Sequence, residues 1–215
     1  MIWIICLILR RLKLGSRGGG APAKLPTFYL PLNPMEKRLL LEESLLNLIL
    51  RRLAFQLIEN HQSFKESVFI AIQPRGIELM HAVVNALEEV KAIKPESLQQ
   101  GTLDITFHRD DFRSGKSLIP KSTNIPFAIE GKRIILIDDV LYTGRTIRAA
   151  LDALVDFGRP KDVELLVLID RKLHRDLPIQ AKYVGKTIDS IEEERVTVDL
   201  EGKSVWITPK TPDNG

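Results

Sequence analysis

Ile134-Ile135-Leu136-Ile137-Asp138-Asp139-Val140-Leu141-Tyr142-Thr143-Gly144-Arg145-Thr146 is the stretch on which the fold turns. It reads as a strand buried by composition, then two adjacent carboxylates, a short loop with Thr and Gly, and the start of a helix. Ligands of open α/β sheets bind at the carboxyl ends of the strands. There Thr143-Gly144-Arg145-Thr146 presents hydroxyls and backbone N–H groups at a helix start, where the helix dipole favours an anion. Gly144 lets the backbone approach closely. The loop therefore suits a phosphate monoester. The two acids before it cannot bind phosphate, but they can accept hydrogen bonds from sugar hydroxyls, and ribose 5-phosphate meets both demands.

Other origins for the same pattern fit less well. Phosphoacceptor receiver domains also carry paired Asp residues at a strand end, but after the first strand of the domain, whereas this pair lies far into the chain. The loop has no Gly-Lys-Ser/Thr and is not a P-loop. A structural turn does not need two neighbouring carboxylates, whose mutual repulsion is costly.

Working outward, strands and helices alternate, which predicts an α/β fold with a parallel sheet. Met35 to about His61 is predicted as one helix, with Leu46, Ile49, Leu50, Leu53 and Leu57 on a single apolar face. Val68 to Ile72 is a short apolar strand ending at Gln73-Pro74-Arg75-Gly76, and Ile77 to Val90 is a second helix. Leu103 to His108 alternates like a strand. Arg109 to Thr123 has no periodicity and reads as a mobile loop that closes over a ligand. Thr146 to Phe157 is a helix stopped by Gly158 and Pro160. Val163 to Ile169, Arg195 to Leu200 and Val205 to Thr208 read as strands.

The chain has 215 residues, enough for one good core. Its formal charge is +3, but residues 1–34 hold five basic side chains and no acid, which leaves −2 for residues 35–215. The body is not a polycation, so any nucleic-acid surface must be local. Residues 1–34 include eight apolar residues, Ile2 to Leu9, too few to span a bilayer. The break at Gly18-Gly19-Gly20-Ala21-Pro22 marks them as a flexible N-terminal extension ahead of a domain over 35–215. The single cysteine, Cys6, excludes a disulfide within the chain and suits a cytoplasmic location. His61, His81, His108 and His174 show no metal-binding spacing, so no protein-held metal is expected.

Beyond the stretch quoted first, Leu103 to Asp111, Val140 to Ala150, Asp170-Arg171, Leu177-Pro178-Ile179 and Tyr183-Val184-Gly185-Lys186 agree in order and spacing with one family. From about Glu36 to Leu200 the chain resembles the PyrR family: pyrimidine operon attenuators with uracil phosphoribosyltransferase activity. The resemblance implies the type I phosphoribosyltransferase fold, a mostly parallel central sheet flanked by helices with a small hood. It implies 5-phosphoribosyl-1-pyrophosphate (PRPP), uracil and UMP as ligands, Mg²⁺ carried by PRPP, and a homodimer or higher homo-oligomer. By position, Asp138 and Asp139 would hold the ribose hydroxyls, and Thr143, Gly144, Arg145 and Thr146 the 5-phosphate. Pro74, Arg75 and Gly76 would form the pyrophosphate loop, and Arg109 would close over the substrate. Tyr183, Val184 and Ile188 would belong to the hood over the base. A pyrimidine-operon mRNA leader would be met by Arg51, Arg52, Arg171, Arg175 and Lys186.

The sequence departs from the family at several of these points. The family's Lys-Thr-Arg-Gly pyrophosphate loop is Gln73-Pro74-Arg75-Gly76 here, one cation short. Its Thr-Arg-Ile-Ala-His on the first helix is Arg51-Arg52-Leu53-Ala54-Phe55, without the histidine. Its Asp-Arg-Gly-His-Arg has become Asp170-Arg171-Lys172-Leu173-His174-Arg175. Two functions therefore stand side by side: an enzyme making UMP, and a UMP-sensing RNA-binding regulator with secondary catalysis. A purine or orotate as the acceptor base is a third possibility, against which only the resemblance argues.

Overall fold

The computed structural model describes residues 36–91, 93–110, 120–173 and 175–210. The chain divides into two units, Met1–Pro34 and Met35–Gly215, and the described residues all belong to the second. The expected extension 1–34, most of the expected mobile loop (111–119) and His174 lie outside them.

The elements in chain order are β1 (Arg38–Leu41), α1 (Glu43–His61), β2 (Ser67–Ile72), α2 (Arg75–Lys91), β3 (Gln99–Leu103), β4 (Arg133–Leu141), α3 (Arg145–Leu154), β5 (Asp162–Arg171), β6 (Tyr183–Ile188), β7 (Glu194–Asp199) and β8 (Ser204–Pro209). Five strands pair in the order β3-β2-β4-β5-β6, every pair parallel. The other three form a small antiparallel sheet, β1-β8-β7.

Unbroken apolar runs build the large sheet because both its faces are covered. Phe69, Ala71, Ile135, Ile137, Leu166 and Leu168 face one core with α1 and α2. Their alternate neighbours Val68, Ile70, Ile134, Leu136, Leu165 and Val167 face a second core with α3. The predicted apolar face of α1 is buried at every position named for it.

Three expectations are corrected. The first helix begins at Glu43, not Met35, because Arg38–Leu41 pairs antiparallel with β8 and tertiary pairing overrides helix-compatible leucines. Leu103–His108 is not a strand. The strand is Gln99–Leu103, a polar sheet edge without the usual composition, and Thr106–His108 is a single 3₁₀ turn. Tyr183–Ile188 is not a hood but the edge strand of the central sheet beside β5.

At the amino ends of the strands a buried polar network closes the sheet. Glu164 Oε2 accepts from the Tyr183 hydroxyl at 2.7 Å and stands 3.1 Å from His61 Nε2, while His61 Nδ1 meets Ser67 Oγ at 2.8 Å. Arg133 Nη2 and Lys182 Nζ reach Glu164 Oε1 at 2.8 and 2.7 Å. Burial pulls His61 below the ordinary histidine value, against the opposing charge of Glu164. For Glu164, burial acts upward, but hydrogen bonds from Lys182 and Tyr183 outweigh it and hold the carboxyl below its usual range.

Both shifts make acid destabilising. As pH falls below 6.5, the unfolded chain takes up the His61 proton before the folded one. Below 4.5, the stabilisation from ionised Glu164 is lost as pH approaches its folded value. Glu164→Ala removes the acceptor that His61, Tyr183, Arg133 and Lys182 share. It is expected to cost roughly 3–5 kcal/mol in urea unfolding at pH 7.5.

Candidate functional site at the carboxyl ends of the central strands

Strand β4 outlasts its apolar run. Asp138 and Asp139 continue it, only 7% and 5% exposed. Burial drives the Asp138 carboxyl well above the usual carboxylate range, and the charge of Asp139 pushes the same way. Asp139 is also raised, first by burial, with Arg75 opposing. Asp138 Oδ1 accepts the Asp139 N–H at 3.0 Å. Asp139 Oδ2 accepts no hydrogen bond and stands 3.6 Å from Arg75 Nη1.

Arg75 arrives from the neighbouring strand. β2 ends at Ile72, the Gln73–Pro74 peptide is cis, and Arg75 opens α2. Gly76 is buried in the first turn of α2. A Cβ there would lie 2.4 Å from the Ile137 carbonyl oxygen, so only glycine lets the helix start press on β4. Gln73 Nε2 ties the turn down, donating to Thr102 Oγ1 and to the Ser122 carbonyl. The crevice between β2 and β4 is where chain connections leave the sheet in opposite directions, the usual position of ligands in such folds.

After β4 the chain turns through Tyr142, Thr143 and Gly144 into α3. Gly144 has φ +92°, in the left-handed region, and precedes a helix start with no side-chain cap. Thr143 Oγ1 accepts the Arg145 N–H at 3.4 Å. Two cavities open here. One of about 480 Å³ is lined by Asp138 and residues Val140 to Ile147 with Arg109 and Asp110. The other, about 1130 Å³, is lined by Gln73, Pro74, Arg75, the acid pair, Tyr142 and Arg171 on the central sheet, and by Arg195, Thr197, Thr208 and Lys210 of the small sheet. Asp110 stands at the smaller cavity, where its carboxylate accepts from Arg145 Nη1 at 3.1 Å and from Arg148 Nη2.

The structure thus brings together Pro74, Arg75, Arg109, Asp138, Asp139, Thr143, Gly144, Arg145 and Thr146. Gly76 supports them by packing. The hood residues named from the sequence are not brought there as a group. Tyr183 is 2% exposed in the His61 network, and its register partner Leu166 lies toward the start of β5. Val184 packs in the second core, and only Ile188, opposite Arg171, reaches the carboxyl end. The small sheet covers the site instead. Arg195, Thr197, Thr208 and Lys210 were missed because nothing in the sequence says over which part of the large sheet two late strands fold.

Of the RNA candidates, Arg51 is exposed on α1. Arg52 Nη2 instead donates to the Val184 and Gly185 carbonyls at 3.0 and 2.5 Å, covering part of the β6 edge just before half-buried Lys186. Arg171 is 4% exposed and Arg175 is half-buried, hydrogen-bonded to Tyr142 O and Asp170. Neither forms an open phosphate-binding surface.

Residues 40–201 match the family model of the phosphoribosyl transferase domain. Curated relatives called bifunctional protein PyrR, from Bacillus cereus and Bacillus anthracis, are 41% identical over 169 residues, covering 77% of this chain and 92% of theirs. Among solved structures, a hypoxanthine phosphoribosyltransferase from Staphylococcus aureus is 25% identical with a TM-score of 0.56, covering 72% of this chain and 79% of that one. The hypoxanthine phosphoribosyltransferase of Trypanosoma cruzi shares the fold at 14% identity, with a TM-score of 0.61 and coverage of 80% and 96%.

Two outcomes follow from the electrostatics. A carboxyl whose folded pKa is raised contributes stability only while protonated and loses it as pH rises through the folded value. Asp138→Asn, which cannot ionise, is therefore expected to raise the thermal midpoint at pH 8 by a few degrees, with a smaller gain at pH 5. Asp110→Asn removes an internal anion from Arg145 and Arg148. It is expected to tighten binding of ribose 5-phosphate, measured by calorimetry, by about twofold to fivefold, the scale of an exposed ion pair.

Proposed function

The chain belongs to the phosphoribosyltransferase domain family and within it to the PyrR proteins, and on that footing we propose that it makes UMP and pyrophosphate from uracil and PRPP. The observation that carries the reading is the meeting of three features at one sheet end: the buried acid pair, the Thr143–Thr146 loop at a helix start, and a large cavity lined by the cations Arg75, Arg109, Arg195 and Lys210. A sugar bearing a monoester at one end and a pyrophosphate at the other matches that arrangement in charge and order.

In this reading the ribose hydroxyls donate to Asp138 and Asp139, and the loop amides and hydroxyls of Thr143 and Thr146 receive the 5-phosphate. Arg75, with Arg109 and the cations of the small sheet, faces the pyrophosphate. The C1–O bond to pyrophosphate breaks toward an oxocarbenium-like state, the pyrophosphate leaves with the electron pair, and uracil N1 forms the new bond to C1 while its N–H proton passes to solvent or to the departing pyrophosphate. The acid pair also faces the positive charge that develops on the sugar, while the cavity's cations stabilise the leaving group. No side chain is assigned as a base.

Magnesium fits as a passenger of the substrate. Among the described residues no cluster of three or more His, Cys, Asp or Glu could hold a metal ion, while the buried Asp139 Oδ2, without a hydrogen bond, is an acceptor suited to a cation or hydroxyl. Carried on PRPP, Mg²⁺ would supply further charge neutralisation on the departing pyrophosphate.

A regulatory reading accompanies the enzymatic one: binding of a pyrimidine-operon mRNA leader under control of UMP. Its support is narrower, namely kinship and the α1 face where Arg51 and Phe55 are exposed. A homo-oligomer and a cytoplasmic setting complete the proposal. The first is supported by the exposed Leu151, Val155 and Phe157 around the end of α3, the second by a chain with one cysteine. Among the described residues no helix is long and apolar enough to cross a membrane.

The test is a steady-state assay with PRPP and uracil, orotate, hypoxanthine or adenine, in which uracil is expected to be the preferred acceptor. Asp139→Asn is expected to fold and to lower uracil phosphoribosyltransfer at least about tenfold, a loss of about 1.4 kcal/mol of transition-state stabilisation. Turnover within twofold of the unsubstituted chain would remove the acid pair from the mechanism.

A further inference from the structure

Arg171 and Arg175, assigned to RNA by resemblance, both close on one residue of the nucleotide site. The Arg171 guanidinium lies 4.1 Å from the centroid of the Tyr142 ring. It is held there from behind, with Nε donating to Ser190 Oγ at 2.7 Å and Nη2 to the Ile191 carbonyl at 2.8 Å. Arg175 takes the same residue by its backbone. Nη1 donates to the Tyr142 carbonyl and Nη2 to the Asp170 carboxylate. The N–H groups of Asp176 and Leu177 then hold the next carbonyl, that of Thr143, at 3.0 and 3.2 Å.

Tyr142 stands at the junction of the site. It lines both cavities and is the first residue of the turn that carries Thr143, Gly144, Arg145 and Thr146. That turn contains a left-handed glycine and leads into a helix without a side-chain cap, so it has little restraint of its own. We propose that Arg171 and Arg175 are positioning residues of the phosphoribosyl site. Arg171 fixes the Tyr142 ring and Arg175 its carbonyl, and together they hold the phosphate loop in its receiving geometry. A buried guanidinium stacked on a ring, and one bridging a carbonyl and a carboxylate, are spent inside the fold rather than offered to an RNA phosphate. The inference rests on the nucleotide-binding reading given under Proposed function and deepens it.

The experiment measures UMP and ribose 5-phosphate affinity by calorimetry and the KM for PRPP in the same variants. Arg171→Ala and Arg175→Ala are each expected to weaken UMP and raise the KM about fivefold to thirtyfold, the range of one desolvated cation–π contact or charge-assisted hydrogen bond. The kcat is expected to stay within about threefold, and Arg175→Lys to recover part of the loss. Removing Arg171 should cost as much in a Tyr142→Phe background, which keeps the ring, as in the unsubstituted chain, and little in Tyr142→Leu. UMP affinity within twofold of the unsubstituted chain in both arginine variants overturns the proposal, as does an Arg171 loss undiminished in Tyr142→Leu. Should Arg171→Ala not fold, half-buried Arg175 decides the matter alone. If the unsubstituted chain binds UMP but does not convert uracil, and the arginine variants still weaken binding, the uracil reading fails and the brace stands. If it binds neither UMP nor ribose 5-phosphate, both fall.

Discussion

Two carboxylates on consecutive residues at the buried end of a central strand resist being charged together. Burial and mutual repulsion push Asp138 upward, and only backbone N–H groups and nearby cations oppose this. A fold selected for stability alone would place amides or apolar groups there. Much of the surrounding architecture answers that one pair. The first turn of α2 presses on β4 closely enough to bring Arg75 within 3.6 Å of Asp139. That approach exists because Gly76 has no Cβ to meet the Ile137 carbonyl. Remove the close packing and the acid pair loses its nearest cation.

The cations of the site come from many places. Arg75 follows β2, Arg109 follows the turn after β3, and Arg195 and Lys210 come from the small antiparallel sheet. The pyrophosphate loop, one cation short by comparison with the family pattern, therefore does not face the cavity alone. Here the small sheet has an electrostatic part as well as a covering one. Its strands connect to the rest through β1, a four-residue strand just before α1 that pairs with β8, and through the short link from β6 into β7.

The opposite end of the sheet is built on a different principle. Glu164 gathers His61, Tyr183, Arg133 and Lys182 into a satisfied buried network, and its carboxyl is held below the usual range, where Asp138 is raised. One end of the same sheet is organised so that its ion pairs close on each other, while at the other the buried Asp139 Oδ2 accepts no hydrogen bond and stands 3.6 Å from Arg75. The distinction is one of partners, not residue type, since both ends contain buried acids beside arginines. It separates a cluster that holds the fold from the proposed substrate site.

The sequence by itself determined the central elements and the groups carried by the Thr143–Thr146 loop. β2, β4, β5 and α1 are written in runs and periodicities that depend on near neighbours along the chain, and the Asp-Asp, Thr-Gly-Arg-Thr succession places its groups within one strand-turn-helix whatever lies around it. Only the tertiary structure decided what comes from far away. The strand pairing of Arg38–Leu41 and of the polar Gln99–Leu103 is imposed by partners, against local propensity. Tyr183 left the expected hood because the sheet needed an edge strand beside β5. Arg171 and Arg175 look like free surface cations in a list of residues, yet both side chains turn inward onto Tyr142, about thirty positions back. A one-dimensional pattern reports which groups a segment carries. Which groups remain available depends on long-range contacts that satisfy or bury them, and those are fixed only when the segments pack.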